Sequence, residues 1–115
     1  MKLIEKTIEL EELKLMAEKN MFSLVKAVVD IKKELMVVEM EMHADAERFL
    51  LERDSQQRDL WGINLYPEKY GSEEFIEYDS MINLRPNDGN VTRGVDDEKI
   101  RQKVKEVVKK LVKNE

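Results

Sequence analysis

His43 is the only histidine in the chain. Glu39 and Glu41 precede it at alternate positions, and Asp45 follows at the same interval. On an extended strand all four side chains would project to one side. Imidazole beside carboxylates can hold a divalent cation or act as a general base with an orienting partner. One histidine rules out a two-histidine metal site within one chain, and the spacing matches no zinc-hydrolase signature. Alternating charge is also the ordinary exterior of a half-buried sheet. A second group is Asn64, Asp79 and Asn83. If Leu60–Tyr66 and Phe75–Leu84 form an antiparallel hairpin, these three share a face with Gly62, Tyr66, Glu77 and Met81. Trp61, Ile63, Leu65, Ile76, Tyr78 and Ile82 then form the apolar face. Asparagine and aspartate are poor strand formers, so tertiary structure must want them there. They suit directed hydrogen bonds, either to a ligand in a concavity opened by Gly62 or in a buried network that fixes strand register. A third group, Arg85, Asn90 and Arg93, lies in a glycine-containing loop leading to a helix. Such a loop can bind an anion. Asp96 and Asp97 at the same helix start oppose one, and Asn87-Asp88-Gly89 reads more simply as a turn.

The elements that must position these residues follow from periodicity. Leu3–Ile8 reads as a short strand. Glu9–Lys19 reads as a helix with Leu10, Leu13 and Ala17 on one face. Leu24–Arg53 admits two readings. As a helix it places Leu24, Val28, Ile31, Leu35, Val38 and Met42 on a coiled-coil seam. As strands it puts Val25, Ala27, Val29 and Ile31 on one face, turns at Lys32-Lys33, and returns with Met36, Val38, Met40 and Met42 opposite Val37, Glu39, Glu41 and His43. The valine doublets favour the strands, because β-branched side chains suit a pleated surface. Ala44–Arg53 is then a helix with Ala46, Phe49 and Leu50 on one side. Pro67 ends the Leu60 strand. Arg85–Val95 is a loop, and Asp96 or Asp97 caps a final helix whose Ile100, Val104, Val107, Val108 and Leu111 keep the helical period. The expected fold class is α+β: an antiparallel sheet of four to five strands, helices on one face, and a long C-terminal amphipathic helix, all in one domain over residues 1–115.

Composition narrows the function classes. The chain has no cysteine, which excludes thiol catalysis, disulfides and cysteine-based zinc sites. A net charge of −5 makes nucleic acid an unfavourable partner. No apolar run reaches the ~18 residues of a membrane span, and Met1–Leu10 lacks the apolar core of a signal peptide. Cytoplasmic residence is expected. Charged residues are 39% of the chain, rich in Glu and Lys as in proteins of heat-loving organisms.

The segments MHADAE (Met42–Glu47), DLWGINLYPE (Asp59–Glu68), FIEYDSMINLRP (Phe75–Pro86) and GNVTRGVDD (Gly89–Asp97), with VVDIKKE (Val28–Glu34), resemble an uncharacterised prokaryotic family of small proteins known only as a domain of unknown function. The resemblance spans nearly the whole chain. It implies glycines near Glu39–Met40 and Asp54, which this sequence lacks, and it supports the strand reading of Leu24–Met42. It brings no activity, cofactor or catalytic residue.

Two functions from different classes fit these residues. One is a small binding or regulatory module, homodimeric in one version. The other is a metal-assisted hydrolase in which His43, Asp45 and Asp79 act as ligands or acid–base groups and Arg85 or Arg93 stabilises an anion. The sequence names no substrate, cofactor or metal, and does not by itself establish catalysis. The absence of a recognisable catalytic constellation favours the module.

Overall fold

The computed structural model describes residues 1–115. Its main sheet has five strands in the order β1-β4-β3-β5-β6, every neighbouring pair antiparallel. β1 is Lys2–Ile4, β3 Val25–Asp30, β4 Leu35–Val38, β5 Leu60–Leu65 and β6 Ile76–Glu77. A separate two-stranded parallel pair joins β2 (Ile8–Glu9) to β7 (Val112–Lys113), with Ile8 opposite Val112. Three helices complete the fold: α1 (Leu10–Glu18), α2 (His43–Leu51) and α3 (Glu98–Leu111). The architecture is the α+β class expected from periodicity, and Leu24–Arg53 is a strand hairpin followed by a helix.

The hairpin forms because Val25–Asp30 and Leu35–Val38 are rich in stiff, branched side chains, and because Asp30 closes the turn between them. Asp30 is buried at 1% exposure. One carboxylate oxygen accepts the amides of Lys32 and Lys33, both at 2.9 Å, and the other accepts the Ser55 hydroxyl at 2.7 Å. Strand alternation then sorts the side chains. Val25, Ala27, Val29, Met36, Val38, Trp61, Ile63 and Leu65 enter the larger core, under α1 and α3. Val28, Val37 and Leu60 point the other way and pack with Ala46 and Leu50 of α2. The helices therefore cover both faces, not one. Val37 marks the difference: alternation puts it on the face of Glu39 and Glu41, yet it is fully buried.

Two boundaries also differ from expectation. β4 stops at Val38, so His43 opens a helix instead of extending a strand. Phe75–Leu84 is strand only over Ile76–Glu77, after which the chain turns and Met81–Asn83 forms a 3-10 turn. Ile82 packs on the α2 side, whereas Ile76 and Tyr78 pack on the larger core. α3 matches its reading closely. Asp97 caps it by accepting the Lys99 amide at 2.8 Å, and Val104, Val107, Val108 and Leu111 are buried.

Glu39 and Asp54 adopt left-handed backbone conformations, with φ of 63° and 71°. These are the places where the resemblance implied glycine. A residue with a Cβ carries a penalty of about 1–2 kcal/mol there, which glycine escapes at some cost in unfolded-state entropy. Glu39→Gly is therefore expected to raise stability by about 0.5–1 kcal/mol in urea unfolding. Glu39→Ala, which keeps the strain and removes only the exposed Lys19–Glu39 pair at 4.0 Å, should give no gain.

Candidate functional site

The polar residues marked by sequence cluster around the outer edge of β5, and most are engaged in holding the chain there. Asn83 is fully buried. Its side-chain oxygen accepts the Gly62 amide at 2.8 Å, and its side-chain nitrogen donates to the Gly62 and Arg93 carbonyls, each at 2.9 Å. The Asn83 amide thus makes the two bonds a neighbouring strand would make. Gly62 allows this approach: a Cβ there would lie 2.5 Å from Ser80 Cβ. Its missing side chain admits Ser80 and opens no concavity. Arg85 donates to the Gln57 carbonyl at 2.6 Å and the Leu60 carbonyl at 2.5 Å, while its guanidinium lies 4.1 Å from the Trp61 ring centroid. Burial lowers its pKa from the ordinary guanidinium value. Asn90 donates to the carbonyls of Asn83, Thr92 and Gly94 and accepts the Asp96 amide.

The remaining marked residues lie beside this network. Asn64, 7% exposed, donates to Glu77 at 2.8 Å and to the Asp79 carbonyl at 3.4 Å. Tyr66 donates its hydroxyl to the same Glu77 oxygen at 3.1 Å. Burial and the Glu77 carboxylate hold the Tyr66 pKa above the ordinary phenol value. Asp79 pairs with Arg93 at 2.8 Å on the surface. His43 is half-buried, with Nε2 at 2.8 Å from the Ile63 carbonyl. A carbonyl can only accept, so Nε2 carries the proton and Nδ1 is the free lone pair. Desolvation depresses the imidazole pKa; the Ile63 carbonyl partly opposes that shift. Asp45 is exposed in the first turn of α2. No group of three or more His, Asp or Glu side chains is placed to hold a metal ion, so the ligand set His43–Asp45–Asp79 does not assemble.

The network has a product that sequence reading missed. By pinning residues 90–96 it forms one rim of an open groove of about 990 Å³. Tyr70–Tyr78 supplies a second rim and α3 the far wall. The groove's accessible apolar surface comes from Tyr70, Ile76 and Tyr78, while Phe75, Val95 and Val108 lie buried beneath the floor. Tyr70 meets Phe75 edge-on, with ring centroids 5.1 Å apart. The α3 wall carries Arg101, Lys105 and Lys109 at four-residue spacing. Arg101 donates to the Val95 carbonyl from Nε and Nη2 and lies 5.7 Å from the Tyr78 ring. Burial raises the Tyr78 pKa, and Arg101 opposes that shift. Asp96 accepts from the Thr92 hydroxyl and from the Val91 and Thr92 amides, and the Thr92 bond is the main reason its pKa falls. The one available signal in the sequence was the 101-105-109 repeat on the polar side of a helix already identified.

Residues 2–111 match a family model described as a protein of unknown function (DUF5674), and the chain belongs to that family. No curated protein and no solved structure matches it.

Removing the Asn83 amide strands the buried Gly62 amide and carbonyl. Asn83→Ala should cost about 2–4 kcal/mol in urea unfolding, at ~1–3 kcal/mol per unsatisfied buried group, and should abolish hydrogen-exchange protection of the Gly62 amide. His43 gives a pH signature. Its folded pKa lies below the unfolded value of 6.5, so the unfolded state takes up the proton first. Wild-type stability should therefore fall as pH drops through 6.5 and level off below the folded pKa. His43→Gln, which can still donate to Ile63, should lose that slope between pH 7 and 5. An unchanged slope would place the titration elsewhere.

Proposed function

We propose that this protein is a cytoplasmic single-domain binding module, and that the groove between α3, the Tyr70–Tyr78 segment and the residue 92–96 rim receives its partner. The observation that carries the reading is the contrast between the two polar regions. Around β5 the side chains of Asn83, Arg85 and Asn90 hydrogen-bond to the chain itself, which suits a scaffold, with only Asn64 Oδ1 and Arg85 Nε of the marked set buried without a partner. In the groove Lys105 and Lys109 form no ion pair, and aromatic and aliphatic surface lies open beside them. Concave apolar surface with a few convergent polar groups is the usual form of a recognition site. The absence of cysteine fits a reducing compartment, and no helix is long and apolar enough to cross a membrane. A second copy of the chain is one version of the partner.

Phage-displayed peptides selected against the purified protein test this reading. Enriched peptides should lose affinity by about tenfold, ~1.4 kcal/mol, on Gln102→Trp, which places a bulky ring in the groove. They should be unaffected by Lys103→Trp, at an exposed position outside the groove lining. Enrichment insensitive to Gln102→Trp, or no enrichment at all, would overturn it.

A further inference from the structure

The groove follows α3 from Glu98 to Lys109, about 16 Å at the helical rise. Along that wall Arg101, Lys105 and Lys109 place a cation every ~6 Å. Same-face side chains of an extended strand recur every ~6.6 Å, so about five extended residues span the same length. The facing rim includes a strand edge. β6 is the last strand of the sheet. The Tyr66 amide donates to the Phe75 carbonyl at 2.9 Å, and Leu65 stands opposite Ile76. Ladder alternation therefore turns the Ile76 amide and carbonyl away from β5, toward the open edge.

Charge selects among possible occupants. The protein carries −5 overall, yet the C-terminal half of this wall presents unpaired lysines. Of the groove's carboxylates, Asp96 is held by Thr92 and Val91. Glu98 sits at the N-terminal end of α3, and Glu73 is exposed on the opposite rim. We propose that the groove takes an extended acidic segment of a partner protein, with glutamates at alternate positions. Its main chain lies along the Ile76 edge. Its glutamate stems cover the accessible faces of Tyr70, Ile76 and Tyr78, and their carboxylates meet Arg101, Lys105 and Lys109. The intervening side chains face the other way, and their identity is free. This rests on the groove being the recognition site.

The test is an NMR titration of the folded protein with acetylated Glu-Thr-Glu-Thr-Glu, against Glu-Glu-Glu-Thr-Thr and Lys-Thr-Lys-Thr-Lys. The alternating acidic peptide should shift the amides of Ile76, Arg101 and Lys105, and should bind about tenfold more tightly than either control, the scale of two or three exposed ion pairs. The double variant Lys105→Glu/Lys109→Glu, at exposed positions, should keep its circular dichroism spectrum, with a modestly lower thermal midpoint because α3 loses a cation from its last turn, while reversing the preference toward the lysine peptide. Added salt should weaken binding. Equal binding of the alternating and block peptides overturns the extended register. Equal binding of acidic and basic peptides, or indifference to the double variant, overturns the charge assignment. No binding of the alternating peptide overturns both. If phage-selected peptides still depend on Gln102 in any of these cases, the groove remains the site and only its occupant is wrong. A dimer in sedimentation that the double variant dissociates would identify a second copy as the occupant and overturn an acidic partner segment.

Discussion

The outer edge of β5 is the constraint around which the second half of the chain is organised. A strand so deeply buried must satisfy its backbone amides and carbonyls on both sides. β3 does this along one side over six residues. On the other side β6 pairs with only Asn64 and Leu65. The rest of the edge is completed by side chains: the Asn83 amide for both polar groups of Gly62, and the Arg85 guanidinium for the Leu60 carbonyl. An asparagine side chain carries the same donor and acceptor as a peptide unit, so it can take the place of a missing strand residue. The substitution needs the segment bearing Ser80 and Asn83 to come closer than a Cβ on residue 62 would allow, and Gly62 provides that space.

From this edge the order spreads outward. Asn83 ties the Arg93 carbonyl as well as Gly62, and Asn90 gathers the carbonyls of Asn83, Thr92 and Gly94 with the amide of Asp96. A loop of irregular backbone is thereby held with its polar groups paired, which loops without such side chains achieve only in water. The loop then delivers Asp97 to cap α3. Strand edge, loop and helix start form one hydrogen-bonded sequence of dependencies, and the groove lies where they meet the Tyr70–Tyr78 segment.

What could be read from sequence was whatever rested on local periodicity. The stripes of α1 and α3, the valine hairpin and β5 each announce their structure through spacing. The expected strand over Phe75–Leu84 failed because Ile76, Tyr78, Ile82 and Leu84 alternate as a strand would, while Asp79, Ser80 and Asn83 prefer bonds to nearby backbone. Asp79 and Asn83 stand out in the sequence as misfits to a strand, whereas Ser80 does not. Their meaning, that side chains replace the ladder, depended on contacts with Gly62 and Arg93 that no local pattern records. The second covered face was hidden for a related reason. Val37 lies between residues of the first core, and only the position of α2 buries it. Asp30 showed nothing in sequence beyond a charge at a strand end. The groove is assembled from three separate stretches, and its lysines are ordinary solvent-facing residues until Tyr70, Ile76 and Tyr78 are brought opposite them.

The same helix that fills the core also presents the cationic row, and this couples recognition to stability. Val104, Val107, Val108 and Leu111 are all at most 3% exposed, so α3 cannot roll or slide without opening the larger core. Interiors are packed too densely to permit that at low cost. Lys105 follows Val104 directly and Lys109 follows Val108, so their Cα positions are fixed by the burial of their neighbours. Only the flexible lysine stems remain to be ordered when a partner binds. A surface whose spacing is set by core packing needs little rearrangement on association, which lowers the entropic cost of binding. The buried network does the same for the opposite rim, since residues 92–96 are already held by Asn90 and Asn83. The groove is thus bounded on two sides by parts of the fold that global stability keeps in place, and its width is a property of the folded state rather than of a mobile loop.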